Sequence, residues 1–171
     1  LSLGVKGQNV LDLGTGTGVI PRNMYSYGAK WTGADISENQ IMYAEKLSKS
    51  AGMDIDYIVA SAEAVDYPDR TFDVITACQC FMYFDKSIVL PKFHQILKNH
   101  GHFAILFMAW LPEESEIAKT SEDLVLKYNP AWTGGRVTRY ELQEPPWCEG
   151  MFKAANMLTY ELPVHFTRES W

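Results

Sequence analysis

The sequence has no apolar run of about 18 residues, so hydropathy proposes no membrane-spanning helix and no membrane partner. Positive charge is short: 15 Lys and Arg against 21 Asp and Glu leave a formal charge of −6. A general nucleic-acid binder concentrates Lys and Arg, so no nucleic-acid partner is expected. Cysteine is scarce, and Cys78, Cys80 and Cys148 cannot all pair among themselves. In a strand, Cys78 and Cys80 would point the same way with Cα atoms roughly 6.5–7 Å apart, at or beyond disulfide reach. Buried reduced thiols are therefore expected, and with them a cytoplasmic location. The four histidines have no metal-ligand spacing with these cysteines, so no metal site is expected. There is no signal-peptide pattern, no repeat and no low-complexity tract. The chain starts at Leu1 rather than Met and stops at Trp171, just after a strand-like segment, so we expect a domain truncated at both ends.

What is present is patterning for one α/β domain, since 171 residues suffice for a single full core. Strands are expected at Asn9–Leu13, Trp31–Ile36, Asp56–Ser61, Phe72–Cys80 and 102–110, the last with almost no polar residue, as in a parallel sheet covered on both faces. Between them, Gly18–Tyr27, the stretch from Ser37 to Ala51, and Ser87–Lys98 read as helices, the last with an unsettled start because of Pro91. Ser37 and Gln40 have capping-box spacing, in which the hydroxyl serves the N–H three residues on and the amide reaches back. Residues 99–101, "NHG", read as a turn. After Leu111 the pattern changes: a helix over Glu113–Tyr128, a Pro-, Gly- and Trp-rich loop or lid over Asn129–Gly150, and one more strand over Met157–Phe166.

The chemistry concentrates in "VLDLGTGTGV", residues 10–19. A glycine-rich turn between a strand and its helix lets a ligand approach the backbone. A Walker loop would need Gly-Lys-Ser/Thr at its end, and that Lys is absent, which argues against ATP or GTP hydrolysis. The dinucleotide fingerprint G-x-G-x-x-G is closer, because Asp35 follows Gly14 by 21 positions, but its sixth position here is Val19. Asp12 decides between them. A carboxylate two residues before the first glycine would repel a pyrophosphate and favour a ligand carrying positive charge. S-adenosylmethionine, with a sulfonium, an ammonium and no phosphate, is such a ligand. Asp12 could serve its ammonium directly or through water, and Asp35 could accept both ribose hydroxyls.

On these residues the chain resembles the class I S-adenosylmethionine-dependent methyltransferases. "VLDLGTGTG" is similar to that family's first motif, and "GADISENQIMYAEK" to its second strand and following helix. "SAEAVDYPDRTFDVITACQCFMYFD" and "LPKFHQILKNHGHFAI" resemble its later segments in the same order, so that the likeness covers roughly residues 9–107. The resemblance implies a three-layer α/β sandwich with a mostly parallel, doubly wound, Rossmann-like sheet, and S-adenosyl-L-methionine as cofactor. It implies that Gly14, Thr15, Gly16 and Gly18 lie under the methionine part, that Asp35 holds the ribose, and that Ile36 packs on the adenine. Ala62 would offer its N–H to the adenine. Ser61 stands where the family often has Asp, so the bond to the adenine amino group is weakened. Glu63 either joins that site or is solvated, and Gln79 would lie near the transferable methyl or is an ordinary strand-end polar residue.

A sulfonium methyl is already activated, so direct displacement by a small-molecule acceptor needs mainly alignment and exclusion of water. No residue declares itself as a general base, and no catalytic residue is assigned. Tyr83 either orients a substrate or is a packing or helix-start residue; nothing in the sequence lowers the Cys80 thiol pKa as a nucleophile would require. Acceptor choice is expected in 110–171, where Trp110, Trp132, Trp147 and Trp171 either close over a substrate or form the loop's own small core, and where Tyr128, Arg136 and Arg139 are either an anion site or solvated surface. The family sheet has seven strands, so missing elements would leave apolar surface uncovered. Two other classes compete: a non-catalytic methyltransferase-like module that binds the cofactor and acts through a partner, and a nicotinamide-dependent oxidoreductase.

Overall fold

The computed structural model describes residues 2–135, 146, 150–153, 156–167 and 169. Arg136, Arg139, Trp147, Cys148 and Trp171 lie outside the described residues, as does much of the expected loop. By their contacts the residues form two compact units, Leu1–Ala109 and Trp110–Trp171.

The first unit is built on five strands: β1 (Asn9–Leu13), β2 (Lys30–Asp35), β3 (Asp56–Val59), β4 (Phe72–Cys78) and β5 (Leu97–Leu106). Its helices are α1 (Val19–Met24), α2 (Glu38–Ser50) and α3 (Lys86–Ile96). All pairings are parallel, in the order β3-β2-β1-β4-β5. The chain thus runs outward from β1 to β3, then returns to place β4 on the other side of β1. Right-handed crossovers put α1 and α2 on one face and α3 on the other. The direction reverses between β1 and β4, and at such a switch point the strand ends leave a crevice.

Apolar side chains fill the interfaces. Trp31, with Val10, Ala29 and Val74, is packed by Leu3, Ile20, Met24 and Ile55. Toward β5, Phe103 takes Phe81 and Phe93 edge-on at centroid distances of 5.2 and 5.1 Å, the T-shaped arrangement that ring quadrupoles favour.

Local signals hold with informative exceptions. Ser37 caps α2 by accepting the Gln40 N–H, but the Gln40 amide does not reach back, because the Ser37 N–H already donates to Asp35 Oδ1 at 2.9 Å. The start of α3 falls at Lys86, where the Asp85 carboxylate accepts the Ser87 N–H at 3.0 Å. The "NHG" turn and the fifth strand turn out to be one element. Phe72 pairs with Leu97 and Val74 with His102, so the intervening residues of β5 bulge, with His100 at φ 65°. β4 ends at Cys78, and Gln79 turns the chain at φ 61°, so Cys78 and Cys80 do not share a strand as expected.

In the second unit, α4 (Glu116–Tyr128) starts three residues later than expected, where the Ser115 hydroxyl accepts the Ala118 N–H. The Trp132 ring lies against its own loop, within 2.8 Å of where a Cβ on Gly134 would sit. Trp110 and Phe166 pair at 5.9 Å. The expected strand over Met157–Phe166 is not formed: residues 156–167 have no regular secondary structure. Leu158, Tyr160, Leu162, Val164 and Phe166 alternate as in a strand yet are all exposed. Among the described residues no strand pairs with them, and alternation alone cannot satisfy a strand's backbone groups.

Candidate functional site

The carboxyl ends of β1, β2 and β4 converge on the glycine loop, and sheet register explains how. One row of paired residues runs Tyr57 (β3), Gly33 (β2), Asp12 (β1), Thr76 (β4) and Ala104 (β5). Neighbours in a parallel row share a face, so Asp12 and Thr76 meet without any turn having to bring them together. The Thr76 hydroxyl donates to Asp12 Oδ1 at 2.6 Å, and the Thr15 hydroxyl donates to Oδ2 at 2.7 Å. Asp12 is 1% exposed. Burial pushes its carboxyl up to about 6; the two hydroxyls pull the other way, and the Asp35 charge adds to the rise.

Gly33 brings no side chain to the row, and Tyr57 fills the space. Its ring lies 2.8 Å from where a Gly33 Cβ would be, and its hydroxyl reaches the place a Gly18 Cβ would occupy. That hydroxyl also pairs with the buried Ser48 of α2 at 3.0 Å. Across the loop, Cys80 presses on Gly14, with Sγ 2.7 Å from a Cβ built there, and its thiol donates to the Leu13 carbonyl at 3.1 Å. Burial first, and the Asp12 charge second, push this thiol up to about 12, so it is no nucleophile at neutral pH.

The three loop glycines therefore differ. Gly14 and Gly18 make room for the protein's own Cys80 and Tyr57. At Gly16 a Cβ would meet nothing nearer than Gln40 Oε1 at 3.9 Å, so this is the position that faces open space.

The loop N–H groups are engaged from within. Gly16 donates to Asp35 Oδ2 at 2.8 Å, Thr15 to the Ala34 carbonyl at 3.0 Å and Gly18 to the Thr15 carbonyl at 2.9 Å. Asp35 thus braces loop and helix start together. Beside it Ile36 stands 76% exposed, an apolar surface with no cover.

The remaining expected site residues point to other partners. Ala62 is buried. The Glu63 side chain is engaged rather than simply solvated. Its Oε1 accepts the Asp85 N–H at 2.9 Å, which holds its carboxyl below the ordinary value, and the Ser61 side chain bonds to it as well. Lys92 Nζ adds a bond to the Glu63 carbonyl at 2.5 Å. The Gln79 side chain donates to the Met108 carbonyl at 2.6 Å, so it clamps the end of β4 to the chain leaving β5. Tyr83 ends a short 3-10 turn, Phe81–Tyr83, and is 83% exposed, so it is not a packing residue. Sequence reasoning missed Tyr57, Thr76 and the packing role of Cys80. Thr76 did leave a signal, as a lone hydroxyl in the apolar "VITA" run, where a buried donor has to find an acceptor.

The chain matches the family model described as a methyltransferase domain over residues 11–105, more than half its length, and it belongs to the class I S-adenosylmethionine-dependent methyltransferases. A demethylmenaquinone methyltransferase of Thermotoga maritima is 37% identical over 109 residues, which are 62% of this chain and 46% of that protein. A ubiquinone biosynthesis O-methyltransferase of Pseudomonas entomophila is 29% identical over 130 residues, 74% of this chain and 56% of that protein. Among solved structures, an S-adenosylmethionine-dependent methyltransferase from Mesorhizobium loti aligns with a TM-score of 0.54 at 30% identity, covering 61% of this chain and 48% of that one. The chain thus spans about half the length of the relatives it matches. No helix among the described residues is long and apolar enough to cross a membrane, and among them no three or more His, Cys, Asp or Glu side chains cluster as metal ligands would.

Proposed function

We propose that this chain binds S-adenosylmethionine at the glycine loop and that the protein transfers its methyl group to a small-molecule acceptor by direct displacement. One observation carries the choice of ligand. In a phosphate-binding loop the backbone N–H groups point at the anion, whereas here the Gly16 N–H is bound by the carboxylate of Asp35. With Asp12 buried behind the loop, a phosphate would meet two carboxylates and lose a donor it needs. A phosphate-free, cationic ligand meets no such conflict. This also argues against a nicotinamide dinucleotide.

Bound S-adenosylmethionine would supply a methyl group already activated by its sulfonium. The residues of this chain bind and orient it. Each Asp35 oxygen accepts one N–H and keeps a second lone pair for a ribose hydroxyl. Ile36 offers its exposed face to the adenine, and the N–H of Ala62 is the donor proposed for the ring. Gly16 leaves room for the methionine part, over Gly14, Thr15 and Gly18. Asp12 lends negative potential from beneath. Ser61, Glu63 and Gln79 support this site from its edges, as their present bonds suggest. The names of the two relatives make a quinone-type ring the first acceptor class to test, and the acceptor-binding part would lie in 110–171 and in the remainder of the protein.

Titration calorimetry with S-adenosylmethionine, S-adenosylhomocysteine and NAD tests the ligand, and binding of NAD alone would overturn the reading. Asp35→Ala is expected to weaken binding of the first two by more than about tenfold, the loss of two hydrogen bonds to a charged acceptor. Unchanged affinity in a variant of normal melting temperature would remove Asp35 from the site.

A further inference from the structure

We infer that Thr76 is a positioning residue for this site: its hydroxyl, aligned on Asp12 by the β1–β4 register, keeps that carboxylate charged and aimed beneath the glycine loop. The inference rests on the methyl-donor reading and adds a residue that none of the family motifs quoted above singles out.

The argument is one of supply and demand for protons. Asp12 is 1% exposed and can draw donors only from its surroundings. Two hydroxyls provide them, each with a single proton, and each directs that proton at Asp12. What the hydroxyls turn away from the carboxylate is then lone-pair density, which suits a cation and not an anion. Every other group acting on Asp12 works against its charge. Asp35 on β2 repels it. Burial first, and the Asp12 charge after it, push up the ionisation of Tyr57 on β3, Cys78 on β4 and Cys80 just beyond that strand, so all three stay neutral and none supplies Asp12 with a positive charge. Arg22 of α1 acts on Tyr57. Thr15 belongs to the glycine loop itself. Thr76 sits in the middle of a buried strand and is the fixed donor.

With the carboxyl near 6, Asp12 is mostly ionised at neutral pH, but with little margin. Removing one hydrogen bond to a charged group raises such a carboxyl by about one to two pH units. The Asp12 charge would then be half lost or mostly lost at pH 7.

The test measures S-adenosylhomocysteine affinity of the full chain from about pH 5.5 to 9 for wild type, Thr76→Val and Thr76→Ser. The ligand's own ionisation is common to all and cancels in the comparison. Thr76→Val is expected to bind about two- to tenfold more weakly at pH 7 and to recover by about pH 9, its midpoint shifted upward by about one to two units. Thr76→Ser, which keeps the hydroxyl, should follow the wild type. Thr76→Ala replaces valine where the added methyl disturbs folding. Curves that coincide, or that run parallel at all pH values, would overturn the inference, since a purely structural role lowers affinity without moving the midpoint. No binding by the wild type at any pH would instead overturn the methyl-donor reading itself.

Discussion

The two compact units use similar side chains to opposite ends. Nearly every buried apolar residue described lies in Leu1–Ala109, and Pro112 and Ala118 are the two such residues described in Trp110–Trp171. Yet the second unit is rich in large apolar groups: Ile117, Leu124, Val125, Leu158 and Leu162 are all exposed. Composition does not separate the two units; pairing does. β1 lies between two neighbours, so its side chains and backbone groups are both satisfied, and its interior is closed to water. Residues 158–166 alternate as well as any strand of the sheet and remain without regular structure. The hydrophobic effect rewards area removed from water, and a pattern with no matching surface removes none.

The sharpest way to break this contrast is to empty the first unit's core. Phe93 is fully buried against Phe103. Phe93→Ala is expected to cost about 3–5 kcal/mol, the transfer term plus the cavity left behind. Urea unfolding measures it, and a loss below about 1 kcal/mol would mean that the interface of α3 and β5 is far looser than its geometry.

A second test uses the buried carboxylate. The folded protein holds Asp12 near 6 where its ordinary value is 3.8. In the folded state its pKa is raised, so the folded chain keeps a proton that the unfolded chain has released. The contribution of this group to stability is therefore complete below the unfolded value and lost as pH rises through the folded one. The difference of roughly two units corresponds to about 3 kcal/mol between pH 4 and 7. Asp12→Asn removes that slope. The stability of wild type minus variant should fall by about this amount over that range. Carboxylates held below their ordinary values, such as Asp73 beside Lys98, give the opposite slope but are common to both proteins. Parallel curves would show that Asp12 is not buried as described.

The same contrast governs what the sequence made legible. β1 was readable to the residue, and Ser37 announced the start of α2, because both depend on neighbours in the chain. Asp12 was readable as the discriminating charge, but its partner was not: Thr76 lies 64 positions away, and only strand register joins them. The glycines were readable as a loop, while the division of labour among them was not, because it depends on where Tyr57 and Cys80 land. Glu63 and Gln79 were readable as residues that follow strands β3 and β4, while their bonds to the start of α3 and to the chain leaving β5 were not, since only the fold brings those partners near. In the second unit the error ran the other way. The alternation over 157–166 was real, but among the described residues no strand lies beside it, which no single segment can reveal.

The smallest expected effect is for that reason the most telling. Leu158 is 73% exposed and Leu162 is 69% exposed. Leu158→Ser and Leu162→Ser should each change stability by no more than about 0.5 kcal/mol, the range of surface substitutions that touch no packed feature. The same replacement at Leu11 or Leu13, on β1 and almost wholly buried, would strand a hydroxyl in the core and cost several times more. Denaturant unfolding of the four variants side by side puts the comparison in one number per residue. Losses above about 1.5 kcal/mol at Leu158 and Leu162 would mean that the alternating segment does cover apolar surface when the chain folds. Small losses there, beside large ones on β1, would confirm that these side chains cover no apolar surface.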